Sequence, residues 1–290
     1  MNPTTLTTTP SEDYALIDSG REEKLERYGF YVLARPDPAA LWEKRIPDDE
    51  WKKADAWYER AGRGGKWYTK KQLPEEWPVR LGGFTFLIRP TSFKHVGLFP
   101  EQVSNWEWSS NLIQKTKKPV SVLNLFAYTG GATLAAARAG AAVVHIDASR
   151  SANEWARENA AQSDLSDKPI RWITEDALVF ARRQAKKGTR YDAIIMDPPA
   201  FGHGPKNELW KIERDYLTLL GLCRELLSDA PLFMLMSGYA SGYSSYAFLH
   251  NLLPFKEHYG GDVEHGELTI AEKGSGRLLP CGIFARIAFP

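Results

Sequence analysis

The chain has 290 residues, 43% of them hydrophobic and 25% charged. That is enough to bury a core, as one large domain or two smaller ones. The balance of 37 basic against 36 acidic side chains excludes a simple polycation, so any contact with an anionic polymer must come from a local patch. Cys223 and Cys281, the two cysteines, exclude a disulfide framework and a four-cysteine zinc site. A reducing, cytoplasmic setting is the expectation. No run of about 18 apolar residues suggests a membrane helix. The six histidines are scattered, and no metal site is expected.

In chain order, residues 1–12 are polar, lack an apolar signal core and predict a disordered tail. Residues 13–90 predict a small β-rich or α+β domain. Ala15–Asp18, Phe30–Arg35 and Gly83–Arg89 read as strands, and Pro38–Glu59 reads as mostly helical with a break at Pro47. Seven of the ten tryptophans precede residue 110. Lys44, Arg45, Lys52, Lys53, Arg60, Arg63, Lys66, Lys70 and Lys71 are interleaved there with Trp51, Trp57, Trp67 and Tyr68. Basic and aromatic residues together suit single-stranded RNA, although a solvated face with inward tryptophans explains them as well. Gly62–Gly65 predicts a mobile loop.

Residues 91–290 change rhythm. Strands are expected at Val120–Phe126, Ala142–Asp147, Arg171–Thr174, Tyr191–Asp197 and Leu232–Ser237. Helices alternate with them at Gly131–Ala139, Ser151–Gln162, Asp176–Lys187, Asn207–Ser228 and Ser244–Leu253. This alternation predicts a doubly wound, mostly parallel α/β sheet. Asp262–Glu272 and Leu279–Phe289, joined by a glycine-rich turn, add a C-terminal antiparallel hairpin.

Four strand ends carry candidate chemistry. Asn124-Leu125-Phe126-Ala127-Tyr128-Thr129-Gly130-Gly131 leads from the first strand into a helix, where free N–H groups can meet a polar ligand. Asp147 ends the second strand, as a helix cap or, near the spacing of roughly 20 residues from the glycine turn, as an acid that accepts ribose hydroxyls. Asp176 follows the third strand, as a helix cap, a contact to an adenine amino group, or both. Asp197-Pro198-Pro199-Ala200-Phe201 follows the fourth. The two prolines stiffen the turn. An amine can be gripped by Asp197 and the Pro198 carbonyl, and Phe201 can stack on a flat ring.

The order of NLFAYTGG, Asp147 and DPPAF resembles the class I S-adenosylmethionine-dependent methyltransferases. It is similar in particular to the group that modifies cytosine C5 or guanine N7 of large-subunit ribosomal RNA. The resemblance covers residues 85–290 and implies a seven-stranded sheet. It implies that Asn124, Phe126, Ala127, Tyr128, Thr129 and Gly130 line the methionine and ribose side of S-adenosyl-L-methionine. It further implies that Asp147 holds the ribose diol, that Asp176 binds the adenine amine, and that Asp197, Pro198 and Phe201 face the transferred methyl and the base. The segment from Ser92 to Gln102 resembles, more loosely, a G-H-K-T-G-x-x-x-D-Q motif. That implies contacts from Lys94 and Gln102 to the cofactor's carboxylate end, while an interdomain loop is the plainer role of Lys94 and His95.

Two departures matter. Asn124 stands where the common E/D-x-G-x-G-x-G spelling has an acid. Leu235-Met236-Ser237-Gly238-Tyr239 holds no cysteine near the end of strand five, and cytosine C5 chemistry needs a thiolate to attack C6. Cys223 and Cys281 read as packing residues. A nitrogen acceptor on RNA, ribosomal RNA first, is therefore expected. His203 reads as a proton acceptor or as a surface residue. A nicotinamide-dependent oxidoreductase is a rival that leaves Asp197–Phe201 unexplained. A non-catalytic RNA-binding protein of the same fold is another.

Overall fold

A computed structural model describes residues 2–61, 64–239 and 242–290. Its first strands are β1 (Thr4–Thr8), β2 (Tyr14–Gly20), β3 (Glu23–Tyr28) and β4 (Tyr31–Pro36). A four-residue helix α1 (Asp48–Trp51) precedes β5 (Ala56–Ala61), β6 (Gly64–Thr69), β7 (Trp77–Leu81) and β8 (Phe84–Ile88). Helix α2 (Val103–Lys115) then leads to β9 (Ser121–Leu125), α3 (Gly131–Arg138), β10 (Ala142–Asp147), α4 (Arg150–Gln162), β11 (Ile170–Thr174) and α5 (Ala177–Lys186). After β12 (Ala193–Met196) come β13 (Phe201–His203), β14 (Leu209–Lys211), α6 (Ile212–Leu226), β15 (Phe233–Gly238), α7 (Ser245–Tyr259), β16 (Asp262–Ala271) and β17 (Leu278–Ala288).

By contacts the chain forms two units. One comprises residues 1–5, 104–267 and 282–290; the other comprises 6–103 and 268–281. The eight-stranded sheet runs β1-β16-β17-β15-β12-β9-β10-β11. β11, β10, β9, β12 and β15 are mutually parallel, and β17 lies antiparallel to β15. Chain order proceeds outward from β9 in both directions, so the crevice for a ligand falls at the C-terminal ends of β9 and its neighbours. The strands are apolar on both faces because helices cover both. Leu123 and Leu125 pack in one core with Phe180, Tyr216, Leu219 and Phe248. Val122 packs in the other with Ile113, Ala136 and Ala137.

The second unit holds a five-stranded sheet, β2-β3-β4-β5-β6, and a separate β7–β8 hairpin. β4 and β5 pair in parallel there, while β2–β3, β3–β4 and β5–β6 are antiparallel. The β-rich expectation for this part is met, and its helical portion is corrected. Of Pro38–Glu59 only Asp48–Trp51 is α-helical, and Ala56–Glu59 belongs to β5. Trp57 and Tyr58 favour a pleated surface once β6 offers Tyr68 and Trp67 opposite.

The tail expected over residues 1–12 is also corrected. Thr4–Thr8 forms edge strand β1 beside β16, which adds an eighth strand to the expected seven. β-branched threonines suit the role. Gly266 permits it, because a Cβ there would meet the Thr4 carbonyl oxygen at 1.7 Å. Met1 lies outside the described residues, as do Gly62 and Arg63 of the expected mobile loop; Gly64 and Gly65 of that loop open β6. The helix expected from Asn207 begins only at Ile212, since Leu209–Lys211 pairs with Phe201–His203 as a hairpin.

Candidate active site

Phe126, Tyr128 and Gly130 alternate along the turn after β9 in left-handed conformations, with φ of 57°, 48° and 93°. Two of these are not glycine, and such strain persists only where the surroundings over-determine it. Ala127 N–H donates to the Ile146 carbonyl (3.0 Å), and Tyr128 N–H donates to Asp147 Oδ2 (2.8 Å). Gly130 N–H closes the turn on the Ala127 carbonyl (3.0 Å). A Cβ on Gly130 would lie 3.1 Å from Ala156 Cβ, at a φ that disfavours any side chain.

Asp147, half-buried at the end of β10, accepts one main-chain N–H on each oxygen: Tyr128 on Oδ2, and Ser149 on Oδ1 at 2.8 Å. Burial lifts its pKa, and these two donors oppose that. A carboxylate held this way keeps further lone pairs for a vicinal diol. Asp176 is buried, and Val179 N–H donates to its Oδ1 (2.9 Å) as the N-cap of α5. Its plain capping role is therefore present.

Asp197 closes β12. Burial lifts its carboxyl to about 6, while a hydrogen bond from the Ser237 side chain pulls it down. Met196 and Met236 are register partners, so Ser237 on β15 follows directly alongside Asp197. The prolines carry the chain into the β13–β14 hairpin. Trp210 Nε1–H donates to the Pro199 carbonyl (2.7 Å), and its ring packs against Phe126 with centroids 4.8 Å apart. Phe201 is 54% exposed and meets only the edge of His203 among the described rings.

The turn residues, Asp147, Asp176, Asp197, Pro198 and Phe201 thus lie at the C-terminal ends of adjacent parallel strands. Direct bonds join Tyr128 to Asp147, Leu125 to Asp197 and Glu175 to Asp147. The Asn124 side chain takes another direction. Its Nδ2 donates to Thr133 Oγ1 (2.9 Å) inside the first unit's core, and Thr129 is buried with its carbonyl accepting from Asn159 Nδ2 (2.9 Å).

Lys94 and Gln102 belong to the second unit. Burial, with the Lys24, Arg35 and Arg60 cations, brings the Lys94 ammonium down to about 8, and burial brings His95 to about 4. Arg35 Nη1 donates to the Lys94 carbonyl (2.9 Å), and Arg35 also pairs with buried Glu26. Gln102 ends the 3-10 turn Pro100–Gln102.

The basic-aromatic stretch divides. Lys44 pairs with Glu23 (2.7 Å) over the ring of buried Trp51. Lys52, Lys53 and Lys71 pair with Asp49, Glu50 and Asp55. On the β5–β6 pair, half-buried Trp57 stacks on exposed Tyr68 at 5.7 Å and exposed Lys66 lies over Tyr68.

Three contributors escaped the sequence reading. Ser237 carries its signal only through strand order. Asn153, on α4, donates to the Asp147 carbonyl (3.0 Å) and to Thr174 Oγ1 (3.2 Å), and its buried Oδ1 has no hydrogen-bond partner. Trp210 lay inside an expected helix. Both cysteines are buried, with the Cys223 thiol pushed up to about 12 and that of Cys281 well above its ordinary value. Among the described residues no cluster of metal-ligating side chains occurs, and no helix is long and apolar enough to cross a membrane.

Comparison with known proteins bears on this site. Residues 56–240 match the family model of S-adenosylmethionine-dependent methyltransferases. The crystal structure of a SAM-dependent methyltransferase from Agrobacterium tumefaciens is 42% identical. The match covers 99% of this chain and 93% of that one, at a TM-score of 0.94. The methyltransferase SMU.776, solved with SAH, shares the fold at 18% identity and a TM-score of 0.70, over 96% of this chain and 76% of its own. Curated relatives named ribosomal RNA large subunit methyltransferase K/L match over part of their length. The protein from Shewanella sp. (strain ANA-3) is 36% identical over 149 residues, 50% of this chain and 20% of its own. That from Syntrophotalea carbinolica is 31% identical over 183 residues, 62% of this chain and 25% of its own. The chain therefore spans a fifth to a quarter of these curated relatives. With the family model spanning residues 56–240 and 42% identity to a solved methyltransferase over nearly the whole chain, this chain belongs to the S-adenosylmethionine-dependent methyltransferases.

Proposed function

We propose that this methyltransferase modifies a nitrogen of an RNA base, with ribosomal RNA the first candidate. The observation that carries the reading is the Asp197–Pro198 corner. It has a carboxyl near neutrality, an exposed aromatic ring at Phe201, and no reachable thiol beside it.

The residues present fit the cofactor. Asp147 accepts the ribose hydroxyls, the turn Phe126–Gly130 lines the methionine and ribose side, and Asp176 meets the adenine amine with the oxygen its cap does not use. Asn124 supports the turn from within. Bound S-adenosylmethionine supplies an electrophilic methyl group on a sulfonium.

An acceptor nitrogen attacks that methyl with its lone pair, so the N–C bond forms as the C–S bond breaks and the thioether leaves. The chain aligns the attack and takes a proton where the nitrogen carries one. Asp197, about 6, is mostly ionised at pH 7 and matched to that task. The Pro198 carbonyl grips an amine, and Phe201 stacks on the base. Cytosine C5 is disfavoured because a buried thiol with a raised pKa supplies no thiolate. The exposed Tyr68 and Lys66, with half-buried Trp57 stacked beneath, suit contact with an unpaired strand. The names of the curated relatives support ribosomal RNA as substrate.

Calorimetry with S-adenosylmethionine and with NADH, for wild type and Asp147→Ala, tests the first half. We expect micromolar donor binding, weakened at least about tenfold in the variant by loss of hydrogen bonds to a charged acceptor. Mass spectrometry of ribosomal RNA from a deletion strain tests the second, with one methylated nitrogen expected to vanish. Binding without any missing mark would favour a non-catalytic or non-RNA role, and no donor binding would sink the site assignment.

A further inference from the structure

Beneath the glycine turn runs a buried polar chain that methyl transfer does not call upon. Asn124 on β9 and His145 on β10 are register partners on adjacent parallel strands. Thr133 reaches between them from α3. Asn124 Nδ2 donates to Thr133 Oγ1 at 2.9 Å, and Thr133 Oγ1 lies 2.8 Å from His145 Nδ1. Asn124 is 3% exposed, and Thr133 and His145 are 0% exposed. Polar groups so deep must be hydrogen-bonded or costly.

Donor accounting orients the chain. An amide NH₂ only donates, so Thr133 Oγ1 accepts from Asn124. The hydroxyl keeps one hydrogen, and its near neighbour is His145 Nδ1. The roles at this contact follow the tautomer: with Nδ1 accepting, the imidazole carries its proton on Nε2. The ring is neutral, since burial brings it to about 3. The Tyr128 main chain acts the other way, favouring ring protonation as a carbonyl beside an N–H does. The turn sits close above, for a Cβ on Gly130 would come 3.8 Å from His145 Cε1. Nε2 itself is buried without a hydrogen-bond partner.

We propose that Asn124, Thr133 and His145 are positioning residues that brace the cofactor turn from below, with the His145 ring lying under Gly130 and its proton on Nε2. This rests on the turn being the donor's cradle. Tyr128 holds a left-handed φ of 48°, which needs support from both sides. Asp147 supplies one side through the Tyr128 N–H. The imidazole lies under the same turn, 3.8 Å from where a Cβ on Gly130 would stand. The chain also gives Asn124 a role that an aspartate would not fill. An ionised carboxylate has no hydrogen to give Thr133, and the hydroxyl would turn its own hydrogen away from His145.

The test uses the full-length protein with three substitutions: Thr133→Val, which removes the hydroxyl at similar volume, Thr133→Ser, which keeps it, and His145→Leu. Nitrogen-15 spectra of the imidazole read the tautomer, calorimetry reads S-adenosylmethionine affinity, and thermal melts check folding. We expect Nε2–H in wild type and in Thr133→Ser. Thr133→Val and His145→Leu should lose about tenfold or more in affinity, the scale of one lost hydrogen bond in a buried network, with Thr133→Ser within roughly twofold of wild type. A proton on Nδ1 in wild type overturns the proposal, whether or not the variants fold. So does wild-type affinity in folded Thr133→Val. Wild type with Nε2–H that binds no donor would instead refute the cofactor assignment beneath it.

Discussion

Asp197 links chemistry to stability through one proton. Its folded-state pKa, about 6, lies above the ordinary carboxylate value of 3.8 because the strand end is desolvated. Between those values the folded chain binds more protons than the unfolded one, so this group's contribution falls as pH rises from about 4 to about 6. Asp197→Asn should remove that slope. Urea denaturation at pH 4.5 and pH 7 should find the variant's advantage over wild type larger at pH 7, by on the order of 2 kcal/mol. Methyl transfer should fall by about 100-fold or more in the same variant. Asp176 calls for a different separation, since the residue caps α5 and is also the proposed adenine contact. Asp176→Ser keeps a good cap, whereas Asp176→Ala loses about 1 kcal/mol of stability. Both should weaken donor binding, so unchanged affinity in the serine variant would leave Asp176 as a cap alone.

Glycine decides the element scale at the head of α3. Gly131 is helical, yet a Cβ there would lie 2.3 Å from the Trp106 ring, which α2 presses against it. Gly131→Ala should therefore cost about 1–3 kcal/mol by overpacking. Combining it with Trp106→Leu should recover part of that loss in chemical denaturation, and simple additivity would show that the ring is not the cause. The helices after β9, β10 and β11 were legible because their signals are local. They have alanine-rich stretches, and Ser149 and Asp176 serve as caps, accepting from Ala152 N–H and Val179 N–H. The β13–β14 hairpin was not legible. Leu209–Lys211 has no strand signal of its own, and it becomes a strand because Phe201–His203 lies opposite and Trp210 reaches the Pro199 carbonyl. Strands β5 and β6 were hidden in the same way by a helix-compatible mixture of charges.

At the scale of the whole chain, distant segments meet inside the second unit. Residues 268–281 belong to it although they are separated by most of the sequence from 6–103. Arg277 donates to Asp18 (3.0 Å) and to Glu272 (2.7 Å), both fully buried carboxylates, and Ser19 Oγ donates to Glu272 (2.5 Å). Asp18 also accepts from Trp51 Nε1 (2.9 Å) and the main chain of Ile46 (3.2 Å). Arg277→Met would leave buried Asp18 and Glu272 without their nearest cation, with Arg45 still 3.9 Å from Glu272. It should destabilise the protein by about 3–5 kcal/mol, the range for breaking a buried pair from one side. Thermal melts over pH 5 to 8 would check this, and a loss under 1 kcal/mol would mean that the other donors suffice.

By itself the sequence determined the parallel α/β order, the four strand-end signals and the kinship they carry. Those depend on propensity, period and short spacing, which neighbouring residues set together. Tertiary structure alone decided that Thr4–Thr8 becomes a strand, that Ser237 stands beside Asp197, and that Asn124 turns inward to Thr133. Each of these needs a partner whose position in sequence bears no fixed relation to its own. An edge strand needs an open ladder, and a carboxyl needs the neighbour that sheet order supplies. A buried amide needs whichever acceptor packing brings within reach.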